Sequence, residues 1–395
     1  MNIYILDVSF AEVELLSEYK SMIWNERLAE PGDFELVMIS NPENKSLLRI
    51  GTYLGTNKSP RIMKVETVEE KIDAEGERVL EISGRSLELI FTKRVARMYF
   101  TMLDQDEVWL FKDKKPAEIM REMFNKICVE GALSSSDKIP YLSTWGSADI
   151  KIYPDGDIEE PNVPITMEVG LKRLDQAFKQ VTDGYPVLGY RLYRRHGMPE
   201  ALYFDVYTGR DRTLNQTSNP PVIFSLPWGG LDSYTNLDTI ANYYDTVYVF
   251  SKYGVVSVDK GATTGFDRNV LYLEVTGKEA ENLRGNELKN YLTEKGLETL
   301  EEYRREAIFD GEIPPHSLYT YMEDYNLGDY VDLIGDGGVG ARMMIIENIF
   351  VSDNEGFRSY PTFRMDEHIS PDTWSGLRGG EVWSTMPGYW ATFTG

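Results

Sequence analysis

The chain has 395 residues, 64 acidic and 41 basic side chains, and a formal net charge of −23 at pH 7. That length suggests roughly two to four domains at ~100–200 residues each. The charge argues against a binder of nucleic-acid phosphates, which needs clustered Lys and Arg. Cys128 is the sole cysteine, which excludes an intrachain disulfide and a thiolate metal cluster.

The N-terminus, Met1 to Asp7, has no basic stretch and no long apolar core, so no signal peptide is expected. No apolar run approaches the ~20 residues that cross a bilayer. The first hundred residues read mostly as strands. Phe34, Leu36 and Met38 alternate with Glu35, Val37 and Ile39 after the turn Pro31-Gly32-Asp33. Further strands are predicted at 61–69 and 78–83, around the turn 73–76. This rhythm of short strands and turns fits a barrel or sandwich.

Residues 101–204 differ. Pro116 stands where a first helical residue would, and Gly131 where a stop would. Between them Ile119, Met120, Met123, Phe124, Ile127 and Cys128 fall at helical spacing. Residues 134–165, rich in Ser, Pro, Gly and Asp, read as loop. A second helix is predicted over about 167–183, on Leu171, Leu174, Ala177, Phe178 and Val181. Leu188–Arg195 and Leu202–Tyr207 read as a hairpin. The whole is an α+β insertion.

Strands resume at Val222–Ser225, Thr246–Ser251 and Val270–Thr276. A long polar helix is predicted over about 279–307, with Gly285 and Gly296 as the points that weaken it and where it can break in two. Strands then run from Ser317 to Phe363. The last 22 residues, Trp374 to Gly395, carry three of the seven tryptophans.

An internal repeat stands out. Ile50-Gly51-Thr52-Tyr53-Leu54 is answered by Leu327-Gly328-Asp329-Tyr330-Val331. Arg61 and Glu66 then match Arg342 and Glu347 at the same spacing, and Glu75-Gly76-Glu77-Arg78 matches Glu355-Gly356-Phe357-Arg358. The pattern is one strand–loop–strand–turn–strand unit used twice.

Candidate chemistry is thin. The loop Gly335–Gly340 lacks the Lys-Ser/Thr of a P-loop and is a hairpin tip. Two acidic strings, Asp324/Asp329/Asp332/Asp336 and Asp155/Asp157/Glu159/Glu160, lack EF-hand spacing and read as solvated loops. His196, His316 and His368 are scattered and form no HExxH pair. Cys128, on an apolar helical stripe, is a small core residue rather than a nucleophile. Arg191, Arg194, Arg195 and His196 form the most basic patch, read as a solvated hairpin end. No catalytic, cofactor-binding or metal residues are assigned, so neither enzyme activity nor a cofactor is expected. Trp374, Trp383, Tyr389, Trp390 and Phe393 form an aromatic arm that should cover an apolar patch on its own or a neighbouring chain.

Several segments together carry a family resemblance: Ser21–Arg27 running into Glu30–Leu36; Ile82-Ser83-Gly84-Arg85-Ser86-Leu87; Gly209-Arg210-Asp211-Arg212-Thr213 with Val222–Ser225; Asp324–Val331; and Pro361-Thr362-Phe363. In this order the chain resembles the tail-tip hub, or minor tail protein, of long non-contractile-tailed bacteriophages, similar in fold to contractile-phage baseplate hubs. The resemblance implies a mainly β fold with α+β insertions. It also implies two tube-like antiparallel β-barrels, which the internal duplication would supply.

The expected layout is a first barrel at 1–100, an α+β insertion at 101–204, second-barrel strands at 205–260 and a helical insertion at 261–307. The second barrel proper follows at 308–370 and the arm at 371–395. The implied role is a homotrimeric adaptor in the virion tail tip, made in the host cytoplasm. It would join a distal tail protein hexamer to tape-measure protein and central fibre or tip proteins. It would close the channel and open it for genome ejection, passing DNA without specific binding and without inserting in a membrane itself. A receptor- or carbohydrate-binding tip protein and a cell-wall hydrolase are the rival readings.

Overall fold

The computed structural model describes residues 1–365 except 17, 74–75, 98–107, 141, 145–163, 196–197, 227–229, 232, 262, 277–282, 304, 313, 315–318 and 335–339. The aromatic arm and the three histidines therefore lie outside the described residues.

The N-terminal part holds β1 (Ile3–Leu6), β2 (Glu12–Leu16), β3 (Ser21–Arg27), β4 (Asp33–Ile39), α1 (Pro42–Leu47), β5 (Tyr53–Thr56), β6 (Ser59–Ile72) and β7 (Arg78–Ser86). A 3-10 turn, Leu87–Lys93, leads into β8 (Trp109–Lys114), α2 (Pro116–Phe124), β9 (Leu142–Thr144), β10 (Ile165–Val169), α3 (Leu174–Gly184), β11 (Leu188–Arg195) and β12 (Met198–Thr208). There follow β13 (Ile223–Ser225), β14 (Ser233–Thr239), β15 (Thr246–Ser251), β16 (Gly254–Asp259), β17 (Val270–Val275) and α4 (Gly285–Glu302). The last strands are β18 (Glu306–Glu312), β19 (Tyr330–Ile334), β20 (Gly340–Asp353) and β21 (Gly356–Met365).

The protein is mainly β with α+β insertions. Among the described residues, one sheet of 16 strands runs in the order β14-β18-β21-β20-β3-β4-β7-β6-β11-β12-β9, with β1, β2, β5, β13 and β19 branching from it. The order is open at both ends, so the sheet is not closed into separate barrels. The hairpin β3–β4 is the link, because β20 pairs with β3 and β4 with β7. The alternation expected in β4 is met: Phe34, Leu36 and Met38 are buried.

The two halves of the repeat occupy corresponding places. β5–β6–β7 and β19–β20–β21 are both antiparallel meanders. Tyr53 pairs with Lys64 as Tyr330 pairs with Met344. Met63 opposes Ser86 as Met343 opposes Met365. Each long strand then bulges two residues on, between Val65 and Thr67 and between Ile345 and Glu347. An extra residue at one ladder position bends and twists a strand locally. The bulge therefore sets the same bend in both units. The structural register matches Lys64 to Met344, one residue away from the alignment of Arg61 with Arg342.

The insertion packs on the same sheet. Pro116 opens α2, and Gly131 ends the segment at φ +65°, the left-handed conformation that glycine tolerates best. A single π-turn, Asn125–Val129, extends α2 and carries Cys128 into the core. The predicted helix over 167–183 is shorter: Ile165–Val169 is a strand paired with β8, and α3 begins only at Leu174. Met167 and Val169 sit two apart, which puts both on one face of a strand but on different faces of a helix. Burial beside Trp109 and Phe111 decides for the strand.

The long polar helix is α4, trimmed to Gly285–Glu302 and continuous through Gly296. It covers one face of the three-stranded sheet β16-β15-β17. A Cβ on Gly296 would come within 2.6 Å of Val258 Cγ2, so the glycine lets helix and sheet approach closely. Three apolar cores result. One joins residues from β1–β7 with residues from β13 and β19–β21, including Trp24, Phe34, Phe224, Tyr325 and Phe363. A second fills the insertion around Phe91, Phe124, Phe178 and Phe204. The third is the small unit around Val247, Val249 and Leu292.

Candidate functional site

The segment after β12 and the loop before β19 lie side by side. Tyr330 N–H donates to the Arg210 carbonyl and Arg212 N–H to the Tyr330 carbonyl, each at 2.8 Å. Asp329 anchors the crossing. It accepts from the Arg210 amide at 2.7 Å, the Asn326 amide at 3.0 Å and Arg212 Nε at 2.8 Å. Both charged side chains are buried. Burial pushes the Asp329 carboxyl above its ordinary value, against the opposing pull of these donors and of the Arg212 charge. Asp332 holds the next turn by accepting from the Leu214 amide at 2.6 Å.

A second joint lies where the first two cores meet. Arg61 is fully buried: Nη2 donates to the Arg27 carbonyl at 2.8 Å, Nη1 stands 3.4 Å from Glu88, and Nε stands 3.7 Å from Glu26. Glu26 also accepts from Trp24 Nε1 and the Tyr321 hydroxyl, both at 3.1 Å. Glu88 accepts from the Leu192 amide at 2.8 Å. Burial works against the Arg61 charge, but Glu88, Tyr207 and Glu26 outweigh it and hold the guanidinium above its usual range. The next residues diverge, Ile62 into the insertion core and Met63 into the main core. The network thus ties β3, β6, β11 and the loop at 321–325 together. Removing one member of such a buried set leaves an uncompensated charge.

The linked meanders also present one continuous outer face. Arg358, Val351, Ile23, Glu35, Ser83 and Thr67 form a row across β21, β20, β3, β4, β7 and β6. The face carries both signs: Asp33, Glu35, Glu66, Glu69, Glu81 and Glu347 stand beside Arg27, Lys64, Lys71, Arg85 and Arg358. Arg27 bridges Asp33 at 2.6 Å and Glu347 at 2.8 Å, and Arg85 grips Glu66 with two nitrogens at 2.6 and 2.9 Å. A shallow concavity of about 420 Å³ opens there, lined by Ile23, Asn25, Asp33, Glu35, Glu66 and Arg85. The face resembles a wall more than a reaction centre, because its charges neutralise one another along the sheet.

The family model described as Siphovirus ReqiPepy6 Gp37-like protein matches residues 2–355. The chain belongs to that family. No curated protein matches it. Among solved structures it is similar to a prophage MuSo2 43 kDa tail protein from Shewanella oneidensis, with a TM-score of 0.53 at 10% identity over 92% of this chain and 97% of that one. It is also similar to a tail protein from Neisseria meningitidis MC58, with a TM-score of 0.50 at 12% identity over 92% and 96%. The chain is a Gp37-like protein whose fold is similar to that of two prophage-type tail proteins.

The segments that carry the resemblance are the joints. Ser21–Arg27 and Glu30–Leu36 form the linking hairpin. Gly209–Thr213 and Asp324–Val331 meet at Asp329, and Phe363 is buried against Phe224 at 5.2 Å between ring centres.

The other candidates fall as follows. Cys128 is buried, and burial pushes its thiol up to about 12, as suits a core residue. The basic patch corrects the expectation of a solvated hairpin end. Arg191 is buried over the rings of Tyr193 and Tyr207 with Asp205 at 3.8 Å. Arg194 is buried and bonded to Glu12 at 2.6 Å and to the Phe10 carbonyl at 3.2 Å. His196 lies outside the described residues.

Of the acidic string, Asp324 accepts from the Thr320 amide at 2.7 Å, while Asp329 and Asp332 face separate backbone donors and do not converge. Asp336 and the string Asp155–Glu160 lie outside the described residues, as do Gly335 to Val339. The strand ends Ile334 and Gly340 pair across that hairpin. Sequence reasoning missed Glu26 and Glu88. Glu26 had left a signal, since it continues the buried parity of Met22 and Trp24.

Among the described residues no helix is long and apolar enough to cross a membrane.

Proposed function

We propose that this chain is the structural hub at the distal end of a phage tail. It acts there as a homotrimeric adaptor between a sixfold tail tube or distal tail ring and threefold tip components. The observation that carries this reading is the pair of meanders with one register and one bulge position. A chain holding two similar units presents six of them in a trimer, which can seat on a sixfold ring. The duplication behind the two units and their completion into tube-like barrels belong to the same proposal. So do the division into 1–100, 101–204, 205–260, 261–307 and 308–370, and contacts with a distal tail protein hexamer, tape-measure protein and central fibre or tip proteins. The hub closes the channel and opens it for ejection.

The formal net charge of −23 supports a channel wall, since surplus carboxylates repel a passing DNA backbone. No enzymatic role is assigned, because the charged clusters described above hold strands together. The test is the symmetry of assembly. Particle masses of purified protein and a reconstruction of intact tails should show a trimer with six similar units against the tail ring. A tip with no threefold copy of this chain would overturn the proposal.

A further inference from the structure

The sheet β16-β15-β17 has two unlike faces. Val247, Val249 and Val258 pack beneath Leu288, Leu292 and Leu300 of α4. The other face carries Tyr248 and Phe250 from β15, Val255 and Ser257 from β16, and Val270, Tyr272 and Glu274 from β17. The register sets Tyr248 beside Tyr272 and Phe250 beside Val255. Tyr272 is 74% exposed and Val255 59%. With Glu274 at its edge beside Phe250, an exposed aromatic and aliphatic cluster of this kind marks a docking surface.

The course of the chain indicates what covers it. β21 runs antiparallel to β18, with Phe363 opposite Phe309 and Arg364 opposite Ile308. Beyond Ile308, towards its beginning at Glu306, β18 leads back to the small unit, four residues from the end of α4. β14 enters the same unit there, with Thr239 opposite Glu306. The chain therefore leaves β21 at Met365 heading for the base of the small unit, where Tyr244 and Tyr303 meet edge to face at 5.4 Å. Residues 366–395 follow. Fully extended they reach up to ~100 Å, far more than the width of a three-stranded sheet at ~5 Å per strand. Residues 382–395 contain no charged side chain and include Trp383, Tyr389, Trp390 and Phe393. Large rings gain most from leaving water, and they prefer other rings as neighbours.

We propose that the segment 383–393 of the same chain docks on the face formed by Tyr248, Phe250, Val255 and Tyr272.

The test uses the full chain with the photo-crosslinker p-benzoylphenylalanine in place of Tyr272, mixed from light and heavy isotope cultures. Crosslinks to peptides within 382–395 of the same isotope are expected. Crosslinks between isotopes would show a second copy on the face and overturn the proposal, as would crosslinks only elsewhere or none. A second measurement guards against a misplaced probe. Chymotrypsin should cut after Trp383, Tyr389 and Trp390 at least tenfold faster in the outward-facing double variant Phe250→Glu/Tyr272→Glu than in the wild type. Equal cutting rates would overturn the proposal.

Discussion

Gly209 and Gly328 meet backbone to backbone: a Cβ on Gly209 would lie 1.9 Å from the Gly328 carbonyl carbon. Gly328 itself is held at φ +90°. The contact stands directly before the Arg212–Asp329 pair, so close approach of the two segments places those charges. Gly209→Ala must push the strands apart, and a loss of about 3 kcal/mol or more is expected, at the upper end for overpacking. Gly328→Ala has more room but is strained by its left-handed backbone, at a cost of about 1–2 kcal/mol. Urea unfolding should rank the variants in that order. Equal losses, or none at Gly209, would contradict the packing argument.

Asp329 and Arg212 should show unequal losses. Arg212→Ala removes one donor and leaves a buried carboxylate with two backbone amides. Asp329→Ala removes the acceptor for both amides and strands a buried guanidinium. Each should cost about 3–5 kcal/mol, with Asp329→Ala the greater. Denaturant midpoints of the two single variants and the double variant measure this. A double variant as unstable as the sum of the singles would show that the pair is not coupled.

What the sequence made legible was local. Phe34, Leu36 and Met38 alternate because one face of β4 meets the core. Ile119, Met120, Met123 and Phe124 recur at helical spacing because one stripe of α2 does. The joints were not legible, because their partners arrive from far along the chain. Arg212 and Asp329 are 117 residues apart, and Arg194 and Glu12 are 182 apart. Arg191 and Arg194 looked solvated because charge is usually exposed; Tyr207, Asp205 and Glu12, which receive them, lie on other strands. The meeting of Gly209–Thr213 with Asn326–Tyr330 left no trace in spacing, although both segments carried the family resemblance.

Gly296 tests whether a glycine within a helix is a weakness or a fit. Alanine gains about 1 kcal/mol of helix propensity, but its Cβ meets Val258 Cγ2 at 2.6 Å and Val249 Cγ2 at 3.0 Å. Overpacking costs about 1–3 kcal/mol, so Gly296→Ala should destabilise the small unit despite the better helix former. Val258→Ala makes room, and the double variant should be more stable than the two single losses predict. Thermal melts of the four proteins give the coupling. A stabilised Gly296→Ala would show that helix and sheet are not in close contact there.

The small unit should also have a defined acid response. Asp259 is held below the ordinary carboxylate value by the hydroxyls of Thr246 and Ser257 and, more weakly, by Arg268. Asp245 is opposed by burial, yet the Thr263 and Thr246 hydroxyls outweigh it and its value also falls. A carboxyl depressed in the folded state contributes stability that is fully present above its unfolded value, about 4. That stability is lost as pH falls through the folded value. Burial raises the carboxyls of Asp329, Asp332 and Glu347, which act with the opposite sign. The difference between variant and wild type isolates the small unit. Asp259→Asn should melt below wild type at neutral pH, and the gap should narrow as pH falls below about 4. Thr246→Val, which removes a hydroxyl shared by both acids at 2.8 Å each, should behave alike. A gap that stays constant down to pH 2 would mean that neither carboxyl is stabilised in its charged form.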